Sequence, residues 1–385
     1  MNHEAKTFED CFAAFFAGSR AFSFWKARVA LYAILKALGI GSGDEVILPG
    51  YTCVMNVNPI GYLGAKPVYV DIEPRTYNIN PSLVEEKITD RTRLIIAQHT
   101  YGYPCDMDSI ASIAAKRNIA VIEDCCLALG SKYKGRLAGT FGQAAYFSFQ
   151  WNKPFTTGLG GMATTGDAKL AGRIRAVCDS EIIQPSGKEK AMLAAQLLVY
   201  RLFIYPRTTA LAQSVFRALA KKGAVVGSSS SAEFSPLMSP DFFKAMSGVQ
   251  ARAGLRQLQR LEANLAHRRK IAALYDELLA ARGWQPRLYD RTIADPAMVR
   301  YPVRIHEKEK AVAEAASAGI ELGTWFECPL HPMETPLEAY GYTPGLCPVA
   351  EKACLEVVNL PVHPRVSGKT ARKTVDFITR YTQAV

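Results

Sequence analysis

The chain has 385 residues, of which 49% are hydrophobic and 21% charged, which suffices for two substantial cores and argues against extensive disorder. Its nine cysteines include no Cys-x-x-Cys pair and its six histidines have no ligand spacing, so we expect reduced thiols in a cytoplasm and no metal site. The net charge of +11 favours an anionic partner, but we recognise no nucleic-acid-binding module and expect no nucleic-acid partner.

The N-terminal half predicts strands that alternate with helices. Apolar residues at helical spacing make residues 8–38 mostly helical. Beyond them we predict strands at 44–49, 68–72, 94–97 and 120–124 and helices at 81–87 and 107–117. This alternation implies βαβ units and a mostly parallel sheet, which binds ligands at the carboxyl ends of its strands. Four polar residues occupy such ends: Thr52, His99, Asp124 and Ser148.

A segment rich in apolar and basic residues follows at 185–235. Its run 191–205 is apolar nearly all round but has only about 15 residues, short of the roughly 20 that span a bilayer. Residues 208–222 show an amphipathic pattern with a basic face, and 227–231 predict a flexible linker. Two interpretations stay open: a buried hairpin or dimer contact, and an interfacial membrane anchor through residues 190–222.

The C-terminal part predicts a smaller α/β domain. Its predicted elements are a long helix at 246–279, a strand with Val303 and Ile305, and helices at 308–318 and 371–381. We therefore expect a large domain at 1–245 and a small C-terminal domain at 246–385.

Lys153 follows an apolar, strand-like run and precedes a glycine-rich turn at 158–161. This placement suits a lysine held in a pocket, where burial lowers its pKa and makes the amine a nucleophile. The alternative interpretation of Lys153 is an ordinary surface lysine. Asp124 ends an otherwise apolar strand, where it could belong to a site. The alternative interpretation of Asp124 is a helix N-cap. A lysine and a carboxylate around one site are what pyridoxal phosphate chemistry requires. The lysine forms a Schiff base with the aldehyde, and the carboxylate keeps the ring nitrogen protonated.

Short motifs run in order along almost the whole chain. They lie at residues 43–49, 64–68, 76–79, 99–102, 106–108, 121–124, 134–136, 147–149, 329–331, 348–351 and 360–364. In these motifs the chain resembles the DegT/StrS-type sugar aminotransferases, which are pyridoxal phosphate enzymes of the aspartate aminotransferase fold (fold type I). The resemblance implies an α/β fold with a mostly parallel seven-stranded sheet flanked by helices and a smaller C-terminal α/β domain. It also implies a homodimer with active sites at the interface.

The resemblance further implies roles for single residues. Lys153 matches the Schiff-base lysine, which also shuttles a proton, and Asp124 matches the partner of the ring nitrogen. Ser148 matches a serine that binds the cofactor phosphate, and the amides from Ala27 onward match the phosphate-binding turn at a helix start. His331 matches a C-terminal-domain histidine near the active-site mouth, for which a structural role is the alternative.

Several positions depart from the family's pattern at the cofactor. The phosphate turn, usually Ser-Gly-Thr, is Lys26-Ala27-Arg28 here, and we expect Arg28 or Lys26 to pair with the phosphate. Cys53 replaces a common ring-stacking aromatic residue, and Leu127 replaces the Gln or His near the ring hydroxyl. These changes predict a less polar pocket than is typical of a nucleotide-sugar site.

Other departures concern the substrate. The Asn-x-Arg-Met motif that often reaches into the partner's site is replaced at 243–246, and the segment 185–235 is inserted relative to common members. Trp151 stands close to Lys153 in the sequence, and we predict Trp151 and His331 as substrate contacts.

The resemblance implies a pyridoxal phosphate-dependent aminotransferase of cell-surface polysaccharide, glycolipid or secondary-metabolite biosynthesis. It moves an amino group from an amino acid, with glutamate the expected donor, to a nucleotide- or lipid-linked keto sugar. The alternatives are a pyridoxal phosphate-dependent sugar dehydratase and a catalytically silent regulatory or binding relative. Related dehydratases often carry histidine at the lysine position, and a silent relative has no reason to keep Lys153 with Asp124. We expect a cytoplasmic enzyme, with a membrane contact if residues 190–222 form an anchor.

Overall fold

A seven-stranded sheet forms the centre of the larger, N-terminal part of the molecule. The computed structural model describes residues 2–16, 18–151, 153–200, 235–284 and 292–381. In spatial order the strands are β1 (Arg20–Phe24), β10 (Gly161–Thr165), β9 (Ala144–Ser148), β6 (Ala120–Asp124), β5 (Thr92–Gln98), β2 (Glu45–Pro49) and β4 (Lys66–Val70). The five strands from β9 to β4 are parallel, and β10 is antiparallel to both β9 and β1. The predicted mostly parallel sheet is confirmed.

Helices cover both faces of this sheet, so its strands are buried on both sides. Val46 and Leu48 of β2 join a core cluster with α2 (Ala27–Ala37), whereas Ile47 joins the cluster of α5 (Met107–Lys116). This alternation follows from the period of two along a strand. The other helices of this part are α1 (His3–Ala13), α3 (Val54–Tyr62), α4 (Pro81–Lys87), α6 (Ala168–Glu181) and α7 (Gly187–Val199).

The C-terminal part has a second core, built on the antiparallel pair β12 (Arg300–Arg304) and β14 (Val357–Pro361). Tyr275, Val303 and Val375 lie in this core. The helices of this part are α8 (Gly248–Leu258), α9 (Leu261–Ala280), α10 (Lys308–Ser317), α11 (Pro348–Glu356) and α12 (Gly368–Ile378). The smaller α/β unit predicted from the sequence is therefore present.

Short strands connect the two parts. β13 (Leu330–His331) pairs in parallel with β3 (Thr52–Cys53), which brings the C-terminal part against the region that follows the end of β2. A second small sheet has the order β11 (Ala294–Asp295), β7 (Lys132–Tyr133) and β8 (Arg136–Leu137). Both connections join residues that are far apart in the chain.

The prediction of a mostly helical segment at 8–38 is wrong in its middle. α1 ends at Ala13, and the edge strand β1 follows before α2 begins at Ala27. β1 has only five residues, of which the last four are buried. Because the strand is so short, its apolar residues also fit the helical spacing of the segments on either side. The spacing alone therefore does not distinguish the strand from a helix.

The predicted single helix at 246–279 is in fact two helices, α8 and α9. Arg260, with φ −111° and ψ 1°, is not helical and precedes the first residue of α9. The helical spacing continues across this break because both helices face the same core: Ala251 of α8 and Leu265 of α9 share a cluster with Phe8 of α1. The domain boundary between residues 245 and 246 stays a prediction.

The segment 185–235 is described only in its first part and at its last residue. The predicted apolar run 191–205 is helical as far as α7 extends, to Val199. The amphipathic pattern at 208–222 and the linker at 227–231 lie outside the described residues. Among the helices that the structure describes, none is long and apolar enough to cross a membrane.

Candidate active site

Asp124 is the last residue of β6, at the carboxyl end of a central strand, and its side chain is buried. Its Oδ1 atom accepts a hydrogen bond from the backbone N–H of Cys126 at 2.9 Å. Its Oδ2 atom accepts one from the side-chain amide of Asn56 at 2.7 Å. A carboxylate oxygen has more than one acceptor position, so these two donors orient the group and leave it able to accept a further N–H.

A polar network extends from Asn56 across the neighbouring strand ends. Asn56 also donates to the hydroxyl of Thr52 at 3.0 Å, and that hydroxyl donates to the side-chain carbonyl of Gln98. The amide of Gln98 donates to the backbone carbonyl of Tyr51 at 2.9 Å. Sequence reasoning placed Thr52 at a strand end but missed Asn56, which lies one turn further on in α3, and Gln98.

Lys153 is half-buried in the loop between β9 and β10. Its backbone N–H donates to the carbonyl of Gln150 at 3.0 Å, and its Nζ atom is 5.0 Å from the ring centroid of Trp325. Burial lowers the pKa of Lys153, although the thiol of Cys126 and the carboxylate of Asp124 oppose this shift. A lowered pKa leaves more of the amine unprotonated and nucleophilic near neutral pH.

The C-terminal part contributes an aromatic wall made by Trp325, Phe326 and His331. The ring of His331 lies 6.4 Å from that of Trp325 and 5.6 Å from that of Phe326. His331 is directly opposite Cys53 in the β13–β3 pairing. Burial lowers the pKa of His331 despite Glu327, whose carboxylate is 3.9 Å from Nδ1, so the imidazole is mostly neutral at pH 7.

The start of α2 lies directly against Gly161 of β10. Gly161 pairs with Ser148 of β9 on one side and with Phe24 of β1 on the other. A Cβ at this glycine would clash with the backbone nitrogen and Cα of Ala27. The N-cap residue Lys26 makes no side-chain capping hydrogen bond, and the first turn of α2 has no acidic residue, so its N–H groups and the helix dipole favour an anion here.

Two predicted cofactor residues lie near this turn. Arg28 is buried in the first turn of α2. Burial raises the pKa of the Cys53 thiol, and the positive charges of Arg28 and Lys153 oppose that shift. The carboxylate of Asp124 raises the same pKa, so the charges of Arg28, Lys153 and Asp124 all act on the Cys53 thiol.

Leu127 and Trp151 are both integrated into the protein core. Leu127 is buried in the core cluster that also contains Val46 and Leu48 of β2. Trp151 packs with Leu193 of α7, its ring centroid is 5.0 Å from that of Tyr200, and the Tyr200 hydroxyl donates to its carbonyl at 3.2 Å. This packing favours a structural role for Trp151, because α7 covers the loop that carries Lys153.

His99, the remaining strand-end residue, faces a different environment. It is fully buried, its Nδ1 atom accepts from the N–H of Cys105 at 3.0 Å, and its Nε2 atom therefore donates to Glu123 at 3.0 Å. Glu123 also accepts three backbone N–H bonds, at 2.6 to 2.8 Å. These bonds account for the group His99, Glu123 and Cys125, whose ligand atoms lie within 4.8 Å of one another.

Residues 243–246 are held inside their own chain. Phe243 and Met246 are buried, and the buried Lys244 pairs with Asp241 and, at 2.6 Å, with Glu189 of α7. The departure seen in the sequence therefore coincides with a contact to α7, rather than with a side chain that extends outward.

The site offers groups for an aldehyde, a ring nitrogen and a phosphate. Lys153 supplies a half-buried amine, and Asp124 supplies an oriented carboxylate. The uncapped turn at Ala27, seated on Gly161, supplies backbone donors. Pyridoxal phosphate carries all three of the complementary groups, so these residues fit it.

The comparisons with known proteins agree with this fit. The sequence model of the DegT/DnrJ/EryC1/StrS aminotransferase family matches residues 1–196 and 213–379. GDP-perosamine synthase of Caulobacter vibrioides is 32% identical over 92% of this chain and 84% of that protein. UDP-2-acetamido-2-deoxy-3-oxo-D-glucuronate aminotransferase of Pseudomonas aeruginosa is 32% identical over 94% of this chain and 87% of its own length.

A solved structure shows the same fold. A Streptococcus pneumoniae protein in its PMP form has a TM-score of 0.77 at 24% identity, covering 98% of this chain and 92% of its own, and it was also solved in a PLP form. The family match leaves out residues 197–212, which lie within the segment predicted to be inserted. Because the match covers most of the chain, the protein belongs to the DegT/DnrJ/EryC1/StrS aminotransferase family, whose aminotransferases depend on pyridoxal phosphate.

Proposed function

We propose that this enzyme transfers an amino group from an amino acid, with glutamate the expected donor, to a keto sugar. The observation that carries the proposal is the half-buried Lys153, whose pKa is lowered by burial and which shares its surroundings with Asp124. The proposal of a sugar as the amino acceptor is supported by relatives whose names describe aminosugar synthesis. Among them are the synthase of Caulobacter vibrioides and the aminotransferase of Pseudomonas aeruginosa.

Lys153 and Asp124 are the proposed catalytic residues. When bound, pyridoxal phosphate accepts the electron pair of the carbon that carries the amino group. Lys153 would hold the cofactor's aldehyde through Nζ. Once the donor's amine has replaced Nζ at that carbon, the released amine of Lys153 would move a proton to and from the reacting carbon. Asp124, oriented by Asn56 and Cys126, holds the proton on the ring nitrogen.

The phosphate is the proposed ligand of the turn at the start of α2. The first-turn N–H groups at Ala27, the hydroxyl of Ser148 and the guanidinium of Arg28 bind it. Cys53 and Leu127 form less polar walls of the cofactor pocket. Gly161 allows this arrangement because a side chain there would displace the turn.

His331 is the proposed substrate contact on the C-terminal side. Its lowered pKa makes it a neutral hydrogen-bonding group rather than a cation, which suits sugar hydroxyls. For Trp151, which the sequence predicts as a substrate contact, we propose a supporting role for the lysine loop through its packing against Leu193 of α7.

The test of the proposed reaction is mass spectrometry of the products. The purified enzyme, supplied with glutamate, is incubated with a panel of nucleotide-linked and lipid-linked keto sugars. We expect one class to gain an amino group and Lys153→Ala to abolish both the gain and the visible absorbance of the bound cofactor. Loss of water from the sugar without gain of nitrogen indicates a dehydratase, and no reaction with any sugar indicates a silent relative.

We further propose a homodimer with active sites at the interface. The support for this proposal is the resemblance to the family, whose members form dimers with active sites at the interface. Light scattering coupled to size exclusion tests this proposal. A dimer mass is expected, and a monomer at micromolar concentration contradicts it.

A membrane contact through residues 190–222 is a second proposal, for an enzyme that works on the cytoplasmic side. Leu198 and Val199 at the end of α7 are 57% and 48% exposed, which supports the membrane contact. All nine cysteines are free, which supports the cytoplasmic side. An apolar helix face beside basic residues is typical of an interfacial anchor. We expect the enzyme to float with anionic liposomes, and a variant with Leu198→Glu and Val199→Glu to float less. Equal flotation contradicts the proposal.

A further inference from the structure

An open cavity of about 530 Å³ lies in the C-terminal part, along α12. Its charged lining consists of four basic residues and one acidic residue: Lys369, Arg372, Lys373, Arg380 and Asp376. The volume is in the range of small-molecule sites, which is about 300–1,000 Å³. None of the described residues that line this basic cavity belongs to the candidate active site. The basic cavity is therefore a separate feature of the molecule.

The charged residues of the basic cavity follow one face of α12. Positions 369, 372, 373 and 376 are spaced by three or four residues along the helix, so their side chains are neighbours on its surface. All four are exposed. The opposite face carries Ala371, Val375 and Ile378, which are buried in the C-terminal core. Packing of the apolar face therefore turns the charged face towards solvent.

This concentration of positive charge is unfavourable for the protein by itself. Lys369 lies in the first turn of α12, where the helix dipole disfavours a cation and no acidic residue is present. Arg372 and Lys373 follow at the spacing at which like charges repel each other. Asp376, the acidic residue of the basic cavity, is already paired with Arg282. A bound anion would offset this repulsion.

The cations keep hydrogen-bond donors for such an anion. Within the part of the chain that the structure describes, neither Lys369 nor Arg372 forms an ion pair or a side-chain hydrogen bond. Lys373 donates to the carbonyl of Ala318, at 3.2 Å, which uses one of the three donors of its ammonium group. The donors of Lys369, Arg372 and Lys373 therefore converge on one side of the helix.

The buried part of the lining is apolar. Ile320 and Phe377 line the basic cavity and are buried. Arg380 lies over the ring of Phe377, with its guanidinium carbon 4.5 Å from the ring centroid. Cationic head groups thus surround an apolar base, a combination that suits an anionic ester with an organic part.

We infer that the basic cavity binds a ligand through its phosphate groups, an inference that goes beyond the proposed function. Phosphate oxygens accept charge-assisted hydrogen bonds from lysine and, bidentately, from arginine. A diphosphate carries several negative charges and can offset the neighbouring cations of Lys369, Arg372 and Lys373, which a single carboxylate cannot. Two sources have this chemistry, a soluble diphosphate and the headgroups of anionic lipids.

The first arm of the test is calorimetric titration of inorganic pyrophosphate into the enzyme loaded with pyridoxal phosphate, which fills the cofactor's own phosphate site. The salt concentration is about 0.15 M, so that distant charges are screened. Lys369→Gln combined with Arg372→Gln weakens binding at least tenfold. Ala318→Trp, which fills the basic cavity without a change of charge, has the same effect. Lys169→Gln combined with Arg173→Gln removes the same charge from the exposed face of α6 and leaves binding unchanged.

The second arm is flotation with vesicles of phosphatidylcholine, with and without phosphatidylglycerol. Pyrophosphate binding that depends on Lys369 and Arg372 supports the inference and identifies a soluble diphosphate as the source. Flotation with the anionic vesicles alone that depends on these two residues, without pyrophosphate binding, supports the inference and identifies lipid headgroups.

Three results overturn the inference. The first is a wild-type enzyme that binds neither pyrophosphate nor the anionic vesicles. The second is binding that stays within twofold of wild type when Lys369 and Arg372 are both replaced by glutamine. The third is an equal loss in the α6 variant, because net charge alone would then explain the binding. No arm depends on turnover, so failure of the proposed aminotransferase reaction leaves the test intact.

Discussion

Asn56 donates a 2.7 Å hydrogen bond to Asp124, and this contact joins the first turn of α3 to the end of β6. The carboxylate is buried, so its orientation depends on its few donors rather than on water. Asn56 therefore acts on the cofactor through Asp124, as a positioning residue.

Replacement of Asn56 is expected to weaken cofactor binding without removing the lysine that holds it. Asn56→Ala removes one of the two hydrogen bonds that orient Asp124, so we expect a loss of about tenfold in pyridoxal phosphate affinity. Asn56→Asp places a second carboxylate beside Asp124, and like charges disfavour ionisation, so we expect a larger loss that shrinks as the pH falls. Absorbance titration of the apoenzyme measures both affinities. Equal affinities for the two variants and wild type contradict the role of Asn56.

The glycine under the phosphate turn gives a prediction with a matched control. Gly161→Ala places a methyl group against Ala27, so we expect the turn to shift and cofactor affinity to fall at least tenfold. Gly166→Ala, just beyond the same strand, meets nothing within 4 Å and should bind the cofactor as wild type does. The same apoenzyme titration checks both variants. An unchanged affinity for Gly161→Ala would show that the turn tolerates a side chain there.

Asp71 connects the end of β4 to α11 of the C-terminal part. Its carboxylate accepts hydrogen bonds from the N–H groups of Val349 at 2.8 Å and Ala350 at 2.9 Å. Asp71→Ala removes this cap, so we expect the free energy of unfolding to fall by about 1–2 kcal/mol. Asp71→Asn retains an acceptor and should lose less. Thermal unfolding measures the effect, with the surface substitution Asp179→Ala as the control, and an unchanged melting temperature for Asp71→Ala contradicts it.

Glu9 predicts a pH dependence of stability. Its side chain is buried, with Oε1 accepting from the N–H and hydroxyl of Ser23, both at 2.8 Å, and burial raises the pKa of Glu9. The pKa of this carboxyl group is therefore higher in the folded than in the unfolded protein. Such a group lowers the free energy of unfolding as the pH rises from its pKa in the unfolded protein through its pKa in the folded protein. We expect Glu9→Gln to melt a few degrees above wild type at pH 8, with a smaller difference at pH 4. Equal differences at both pH values contradict this assignment.

The sequence allowed the large sheet and its strand-end residues to be predicted because both follow from local patterns. Asp124 and Ser148 end apolar strands, and the carboxyl ends of parallel strands meet at one edge. Asn56 could have been predicted as well, because it lies four residues after Thr52 at a helix start. The strand β1 could not be separated from its helical neighbours by spacing alone.

The C-terminal wall of the site could not be predicted in this way. Trp325 lies in a loop without a periodic pattern, and its neighbours Arg300 and Asn359 come from two different strands. The pairing of His331 with Cys53 likewise joins residues from distant parts of the chain. Such contacts depend on tertiary packing, for which a single sequence has no local signal.

The role of Lys153 is tested most directly by locating the residue that holds the cofactor. The enzyme is loaded with pyridoxal phosphate, reduced with borohydride to make the attachment permanent, digested and analysed by peptide mass spectrometry. We predict that the label lies on Lys153 and that prior addition of glutamate reduces it. A label on a different lysine in an enzyme that still aminates its substrate, or Lys153→Ala with wild-type turnover, would contradict the central role of Lys153.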